Sequence, residues 1–198
     1  MKFKLLLLFF YISFSYSQQN TYLDTKSNKS LGFYYGYGFK TGIIAKINYY
    51  YKPSIYILEF KKKLINKKKT SFSLRFSAEY NNVEFCESYI SNPCIEHENN
   101  DYGVNLSFDF STKISERLDI YSFLGTGPHY LETKLARQAQ GWIFSDVLAL
   151  GLAYKFYNNK YFLDLRYSLR HLSNAGLARP NVGIENNICY IGIGRNLY

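Results

Sequence analysis

Short segments in which apolar and polar residues alternate recur along the chain, and they constrain its fold more than any other feature. In residues 71–80 apolar side chains occupy every second position from Phe72 to Tyr80, with polar side chains between them. Residues 102–111 repeat this pattern, and in residues 31–39 large apolar side chains alternate mainly with glycine. Because successive side chains of a β-strand point to opposite faces, each segment indicates a strand with one apolar face. The aromatic content of 19% and the scarcity of helical periodicity predict an all-β protein.

Eight such strands can be traced, of which the second alternates least clearly. They are residues 31–39, 54–63, 71–80, 102–111, 117–127, 142–156, 161–173 and 185–198. Strands of about ten residues can cross a bilayer when tilted. The connections alternate in length, as the periplasmic turns and outer loops of outer-membrane barrels do. The long connections are residues 40–53, 81–101, 128–141 and 174–184. The strands of a soluble sandwich would also show this alternation of apolar and polar residues. The strand lengths and the alternating lengths of the connections favour an eight-stranded antiparallel transmembrane β-barrel of the outer-membrane type, with a packed lumen.

The N-terminus predicts a cleaved signal peptide rather than a membrane anchor. Lys2 and Lys4 precede an apolar run that is too short to span a membrane as a helix, and Ser15 and Ser17 supply the small residues that a signal peptidase reads. We therefore expect three regions. They are a cleaved signal peptide (1–17), a short N-terminal segment (18–30) and the β-barrel domain (31–198).

The chain is basic, with a formal net charge of +9. It contains no sequence pattern of a nucleic-acid-binding module, so we expect no nucleic-acid partner. Anionic lipid headgroups fit a secreted basic protein better. The lysines between Lys61 and Lys69 are interpreted as solvating a turn.

Three cysteines bear on redox state and metal binding. Cys86 and Cys94 lie in one polar segment and could form a disulfide, although their spacing leaves this open. Cys189 lies in an apolar strand and is interpreted as a small apolar side chain. Cys94, His97 and Glu98 lack a recognised ligand spacing, so no metal and no other cofactor is predicted.

A base, a hydroxyl and a carboxylate lie between His171 and Glu185. A serine hydroxyl becomes an effective nucleophile when a nearby base takes its proton and a third group holds that base. By alternation, His171 and Ser173 continue the apolar face of strand 161–173, and Glu185 shares the apolar face of strand 185–198. We therefore expect all three to face lipid at the outer rim of the barrel, where a site would open toward a lipid substrate.

Two carboxylates could orient His171. Strand pairing across the preceding short turn puts Asp146 opposite His171 on the same face. If the loop 174–184 closes symmetrically, Glu185 lies opposite Ser173 instead. Strand geometry alone does not separate the two acids.

The segment that carries these residues resembles the lipid A 3-O-deacylase family of Gram-negative outer membranes. The family pattern is H-x-S-N-A-G, then P-N-x-G, then an acid. Here it reads His171, Ser173-Asn174-Ala175-Gly176, Pro180-Asn181, Gly183 and Glu185. The spacing matches without gaps, which makes it more specific than a single short motif. Residues 142–170 are also similar, whereas the chain before about residue 115 shares only barrel character.

The resemblance implies an integral outer-membrane hydrolase with its active site at the outer leaflet. Such an enzyme removes the ester-linked 3-hydroxyacyl chain from the 3-position of lipid A. The resemblance implies that Ser173 is the nucleophile, His171 its base and Glu185 the orienting acid, and it thereby favours Glu185 over Asp146.

The resemblance also points to residues that would stabilise the oxyanion or bind substrate. Asn174 and Asn181 match positions that are linked in the family to the oxyanion hole or to loop integrity. The Asn174 amide and the backbone N–H groups from Asn174 to Gly176, where glycine permits unusual dihedral angles, are candidate donors.

Two other functions are compatible with the same chain. A phospholipid esterase would use the same three residues on a glycerol ester, whereas a non-catalytic lipid-binding or adhesion barrel would not need them. His129 is expected to lie in an outer loop, solvated rather than in contact with substrate headgroups, and Arg179 is expected either to be solvated or to bind a lipid A phosphate. A homodimer could cover a site that faces lipid.

Overall fold

The computed structural model of the chain describes residues 28–40, 51–86, 96–135 and 137–197. The predicted signal peptide and most of the predicted N-terminal segment lie outside these residues. So do Cys94 and the C-terminal residue Tyr198. Among the described residues, none belongs to a helix that is long and apolar enough to cross a membrane.

Eight antiparallel strands close into a single barrel, in which each strand pairs with its neighbours in sequence and β1 pairs with β8. The strands are β1 (Lys29–Lys40), β2 (Tyr51–Asn66), β3 (Thr70–Cys86), β4 (Glu96–Lys113), β5 (Leu118–Leu131), β6 (Gly141–Phe156), β7 (Tyr161–Ser173) and β8 (Ile184–Leu197). The predicted fold class is confirmed, including the weakly alternating second strand. Short turns close one end of the barrel and the longer loops lie at the other end, which we call the loop end.

Most strands are longer than the sequence pattern predicts, chiefly at the loop end. The predicted loop 81–101 is in part a continuation of the β3–β4 ladder, which runs to the pair Cys86 and Glu96. These residues are mostly polar on both faces, so the apolar alternation stops here although the backbone pairing continues. Cys86 is disulfide-bonded, and its partner lies outside the described residues. Cys189 is exposed on the outer face of β8.

The register of the strands shows how strongly they are tilted. Directly opposed residues can be followed from Phe39 on β1 through the other seven strands, and the path returns to β1 at Lys29, ten residues earlier. A closed barrel with such a stagger has strands inclined by about 35–45° to its axis. Eight strands at this inclination leave a lumen that side chains can fill.

The lumen is filled by buried charged side chains that pair with one another. Glu59 accepts hydrogen bonds from Arg75 at 2.6 Å and from Arg166 at 3.0 Å. Arg75 also donates two hydrogen bonds to Asp109, at 3.0 and 2.6 Å. The interpretation of Lys61 as a lysine that solvates a turn is wrong, because its ammonium group lies in the lumen, 2.7 Å from the other oxygen of Asp109. Because each charge has an opposite partner, their burial is tolerated, and the lumen is packed as predicted.

The expectation that His129 is a solvated loop residue is wrong. β5 continues to Leu131, so His129 lies on a strand and points into the lumen, where it is 1% exposed. Its Nε2 atom lies 3.1 Å from a carboxylate oxygen of Glu79, and its ring packs against Gly103. The error arose because strand β5 extends beyond the alternating segment that identified it.

The outer face of the barrel is apolar and rich in aromatic side chains. Tyr35, Tyr56, Tyr80 and Tyr102 stand side by side on β1 to β4, with neighbouring ring centroids 5.4–6.0 Å apart. Aromatic girdles of this kind mark the interfaces of membrane barrels.

At the loop end the lumen is closed by a buried apolar cluster, which includes Leu135, Leu172 and Ile184. Those three residues come from the β5–β6 loop, β7 and β8.

Candidate active site

The three predicted catalytic residues lie together at the loop end of β7 and β8. His171 is paired in register with Asp146 of β6 on one side and with Glu185 of β8 on the other. Ser173 is the last residue of β7 and lies opposite Phe144 of β6. The burial pattern alternates along β7 and, apart from the buried Asn187, along β8, so that His171, Ser173 and Glu185 point outward, as predicted.

The predicted register of Glu185 under symmetric loop closure is wrong. Glu185 lies opposite His171 rather than opposite Ser173. The loop between β7 and β8 spans residues 174–183, and the last pair that it closes is Leu172 with Ile184. Ser173 therefore lies beyond the last β8 pair, and the carboxylate comes directly beside the imidazole.

The two acids beside His171 differ in what they contact. The His171 Nδ1 atom lies 3.8 Å from the Glu185 carboxylate, and the two side chains are 40% and 18% exposed. This distance is longer than a hydrogen bond but within the range of an ion pair. Asp146 instead accepts a hydrogen bond of 2.7 Å from the Thr126 hydroxyl of β5. Asp146 is therefore held toward β5, on the side away from Glu185.

The loop 174–183 is organised by two asparagines. The Asn174 side chain donates to the Ala178 carbonyl at 2.8 Å and accepts from the Gly176 N–H at 3.0 Å. The Asn181 side chain accepts from the Asn174 N–H at 2.9 Å. The predicted residues Asn174, Gly176 and Asn181 are thus bonded to one another or to the loop backbone immediately after Ser173. The Asn174 amide, which the sequence suggested as an oxyanion donor, is engaged by the loop.

Gly183 lies against the imidazole of His171. Its φ angle is 84°, which L-amino acids with a side chain rarely adopt. A Cβ atom on this glycine would lie 2.5 Å from Cε1 and 3.1 Å from Nε2 of His171. The absence of a side chain at position 183 therefore leaves the space that the ring occupies.

A second loop, residues 132–140 between β5 and β6, packs against the loop that follows Ser173. The Ala139 N–H donates to the Pro180 carbonyl at 2.8 Å, and the Val182 N–H donates to the Arg137 carbonyl at 2.9 Å. Between these bonds, the Gly183 N–H donates to the side-chain oxygen of Gln138 at 3.2 Å. Gln138 is not recognisable as a site residue from the sequence, because one glutamine in a polar loop gives no signal of burial.

The family model for lipid A 3-O-deacylases (PagL) matches residues 8–193 of the chain. This match covers most of the sequence and includes the loop-end site. No curated protein sequence is similar enough to count as a match.

Solved structures of outer-membrane proteins share the barrel fold, and two of them are compared with this chain. The crystal structure of the outer-membrane enzyme PagL superposes with a TM-score of 0.55 at 15% identity, and the alignment covers 81% of this chain and 97% of that one. The crystal structure of Neisserial surface protein A superposes with a TM-score of 0.50 at 9% identity and covers 86% of this chain and 98% of that one. At such low identity these likenesses describe the fold alone.

Proposed function

The chain belongs to the lipid A 3-O-deacylase family, and we propose that it hydrolyses the ester that links the 3-position acyl chain to lipid A in the outer membrane. The observation that carries this proposal is the grouping of Ser173, His171 and Glu185 on the outward face at the loop end. These residues also occupy the matching positions of the family pattern.

In the proposed mechanism Ser173 is the nucleophile and His171 is the general base. His171 takes the Ser173 proton while the serine oxygen attacks the ester carbonyl carbon. The tetrahedral intermediate collapses, the sugar oxygen leaves with the proton from His171, and an acyl-serine remains. Water then attacks the acyl-serine with His171 again as base, which releases a free 3-hydroxy fatty acid and restores Ser173.

We assign the orienting acid to Glu185 rather than to Asp146. Glu185 approaches the Nδ1 atom of His171, which leaves Nε2 to exchange a proton with Ser173. Asp146 is already engaged by Thr126, so its carboxylate is drawn away from the imidazole. The 3.8 Å separation between His171 and Glu185 would shorten in the substrate complex, as catalytic hydrogen bonds often do.

The oxyanion would be stabilised by the backbone immediately after the nucleophile. Within this turn, the N–H groups of Asn174 and Gly176 are bonded to side-chain oxygens of the loop. The Ala175 N–H lies between them, at a residue with a φ angle of 53°. This N–H donates to no acceptor among the described residues, and we assign it to the developing oxyanion. Asn174 and Asn181 would then act by holding the turn rather than by contacting the substrate.

The direction in which the site opens favours a membrane lipid as substrate. The triad lies on the outer face of the barrel, above the exposed apolar residues of β7 and β8, such as Leu165 and Ile191. With the long loops outside the cell, the site would meet the outer leaflet, where lipid A resides. Arg179 is exposed in the adjacent loop and could pair with a lipid A phosphate.

A substrate comparison with the purified barrel tests this proposal. Mixed micelles that contain both lipid A and a diacyl glycerophospholipid are incubated with the wild-type chain and with Ser173→Ala, and the released fatty acids are identified by mass spectrometry. We expect a 3-hydroxy fatty acid from lipid A with the wild-type chain and none with Ser173→Ala. Release from the glycerophospholipid alone would instead assign the chain as a phospholipid esterase, and release by Ser173→Ala would exclude Ser173 as the nucleophile.

A further inference from the structure

We propose that Gln138, in the loop between β5 and β6, is a positioning residue that holds His171 and Ser173 in reactive geometry. This inference rests on the proposed function, because it assigns a role in the same reaction. Gln138 lies outside the segment that resembles the deacylase pattern, on a different hairpin of the barrel.

Gln138 is buried at the contact between the two loops. Its side chain is 0% exposed, and its Oε1 atom accepts the N–H of Gly183 at 3.2 Å. Gly183 is itself buried, and a buried N–H that loses its acceptor is costly. Removal of this oxygen would therefore displace Gly183 rather than leave its N–H unsatisfied in place.

A displacement of Gly183 would reach the general base directly. A Cβ atom on Gly183 would lie 2.5 Å from Cε1 of His171, so the glycine backbone forms one wall of the space that holds the imidazole. Gln138 also supports the nucleophile, through Asn181. Gln138 forms a β-bridge with Asn181, and the Asn181 side chain accepts the N–H of Asn174, which follows Ser173. Gln138 thus supports both reacting side chains.

The loop that carries Gln138 is fixed at its other end, which makes it a suitable support. The Asp101 carboxylate of β4 accepts the N–H groups of Glu132 and Thr133, at 2.8 and 3.2 Å. Leu135 packs in the buried apolar cluster with Leu172 and Ile184, which directly precede Ser173 and Glu185. The triad is therefore carried by two strands, β7 and β8, and held in place by the loop between two others, β5 and β6.

The test measures the reactivity of Ser173 without depending on the identity of the natural lipid. The full-length barrel, purified from outer membranes, is labelled with a fluorophosphonate, which reacts with a serine that is activated by its base. Three variants are compared with the wild-type chain. Gln138→Leu removes the acceptor at nearly constant volume, Gln138→Glu restores an acceptor at the same position, and Gln140→Leu makes the same replacement at an exposed glutamine of the same loop.

We expect Gln138→Leu to label Ser173 at least about tenfold more slowly and to lower kcat on lipid A by a similar factor, with KM nearly unchanged. Gln138→Glu should stay within about threefold of the wild-type chain, because the acceptor is retained. Gln140→Leu should equal the wild-type chain. A loss of fold, read from the electrophoretic mobility of the unheated barrel, would lower the folded fraction and not the rate per folded molecule.

Two results would overturn the positioning role. They are labelling of Gln138→Leu at the wild-type rate, and labelling of Gln138→Glu that is as slow as that of Gln138→Leu. Should Gln138→Leu not fold, amide hydrogen exchange of the wild-type chain decides, because fast exchange at Gly183 would contradict a lasting bond to Gln138.

Results that contradict the proposed function can be told apart from results that contradict the positioning role of Gln138. A wild-type chain that labels at Ser173 but leaves lipid A intact contradicts the proposed substrate, while the labelling ratios still measure the role of Gln138. A wild-type chain whose Ser173 does not react overturns both proposals.

Discussion

Replacement of Gly183 by alanine should abolish most activity while the barrel remains folded. The new methyl group would stand 2.5 Å from Cε1 of His171, whereas two carbon atoms in contact prefer about 3.5–4.0 Å. The imidazole must therefore move by about 1 Å or more, away from its present position between Ser173 and Glu185. A misplacement of about 1 Å in a reacting group costs on the order of 100-fold in rate, or about 3 kcal/mol in activation free energy.

The same substitution also strains the backbone, and this contribution can be separated. An alanine at the φ of 84° that Gly183 adopts costs about 1–2 kcal/mol of stability. Gly141, at the start of β6, supplies a matched control, since its φ is 108° and nothing lies within 4 Å of an added Cβ atom. Gly141→Ala should therefore lose similar stability but retain activity.

The assay is steady-state hydrolysis of lipid A in micelles, together with urea unfolding of both variants. Gly183→Ala is expected to lower kcat on the order of 100-fold, whereas Gly141→Ala should stay within about threefold of the wild-type chain. Near-wild-type activity in Gly183→Ala would refute the argument that this glycine leaves the space needed by His171. An equal loss in both variants would show that backbone strain, and not the ring contact, is responsible.

Three further experiments test other parts of the structure. Glu185→Gln should lower kcat by at least about 100-fold and Asp146→Asn by less than about fivefold, because only Glu185 approaches His171 Nδ1; the reverse order in the same assay would assign the orienting role to Asp146. Glu59→Gln leaves Arg75 and Arg166 without their shared carboxylate in the lumen and should cost about 3–5 kcal/mol in unfolding free energy; a loss below about 1 kcal/mol would contradict the pairing. Leu165→Arg, on the lipid-facing side of β7, should cost about 2–4 kcal/mol in vesicles, whereas Leu177→Arg in the exposed loop should cost less than about 0.5 kcal/mol; equal costs would contradict the outward orientation of β7.

The strands could be predicted because membrane crossing imposes a simple pattern on them. Lipid on one side and a packed lumen on the other require alternation at each strand, and this requirement predicts the outward faces of His171, Ser173 and Glu185 from the sequence. Beyond the apolar belt this requirement no longer holds, so the predicted strands β3, β4 and β5 stop short of the loop end. The misassignment of His129 to a solvated loop follows from that limit.

The residues that meet at the candidate site could be predicted from the sequence, but the loop contacts that support them could not. The spacing of His171 and Ser173 follows from strand period alone, whereas the position of Glu185 depends on how many residues the loop leaves unpaired. The Gln138 side chain accepts the N–H of Gly183, which lies 45 residues away in the sequence, and only the packing of the two loops reveals this hydrogen bond. The oligomeric state and the cleavage of residues 1–17 stay predictions.

The most direct test of the proposed deacylase activity is a mass spectrum of lipid A from outer membranes that carry this chain, compared with membranes that carry Ser173→Ala at the same level of folded barrel. We predict that lipid A from the wild-type membranes lacks one ester-linked 3-hydroxyacyl chain, and that lipid A from the Ser173→Ala membranes keeps it. Intact lipid A in both membranes, with the wild-type barrel folded, would contradict the proposed activity.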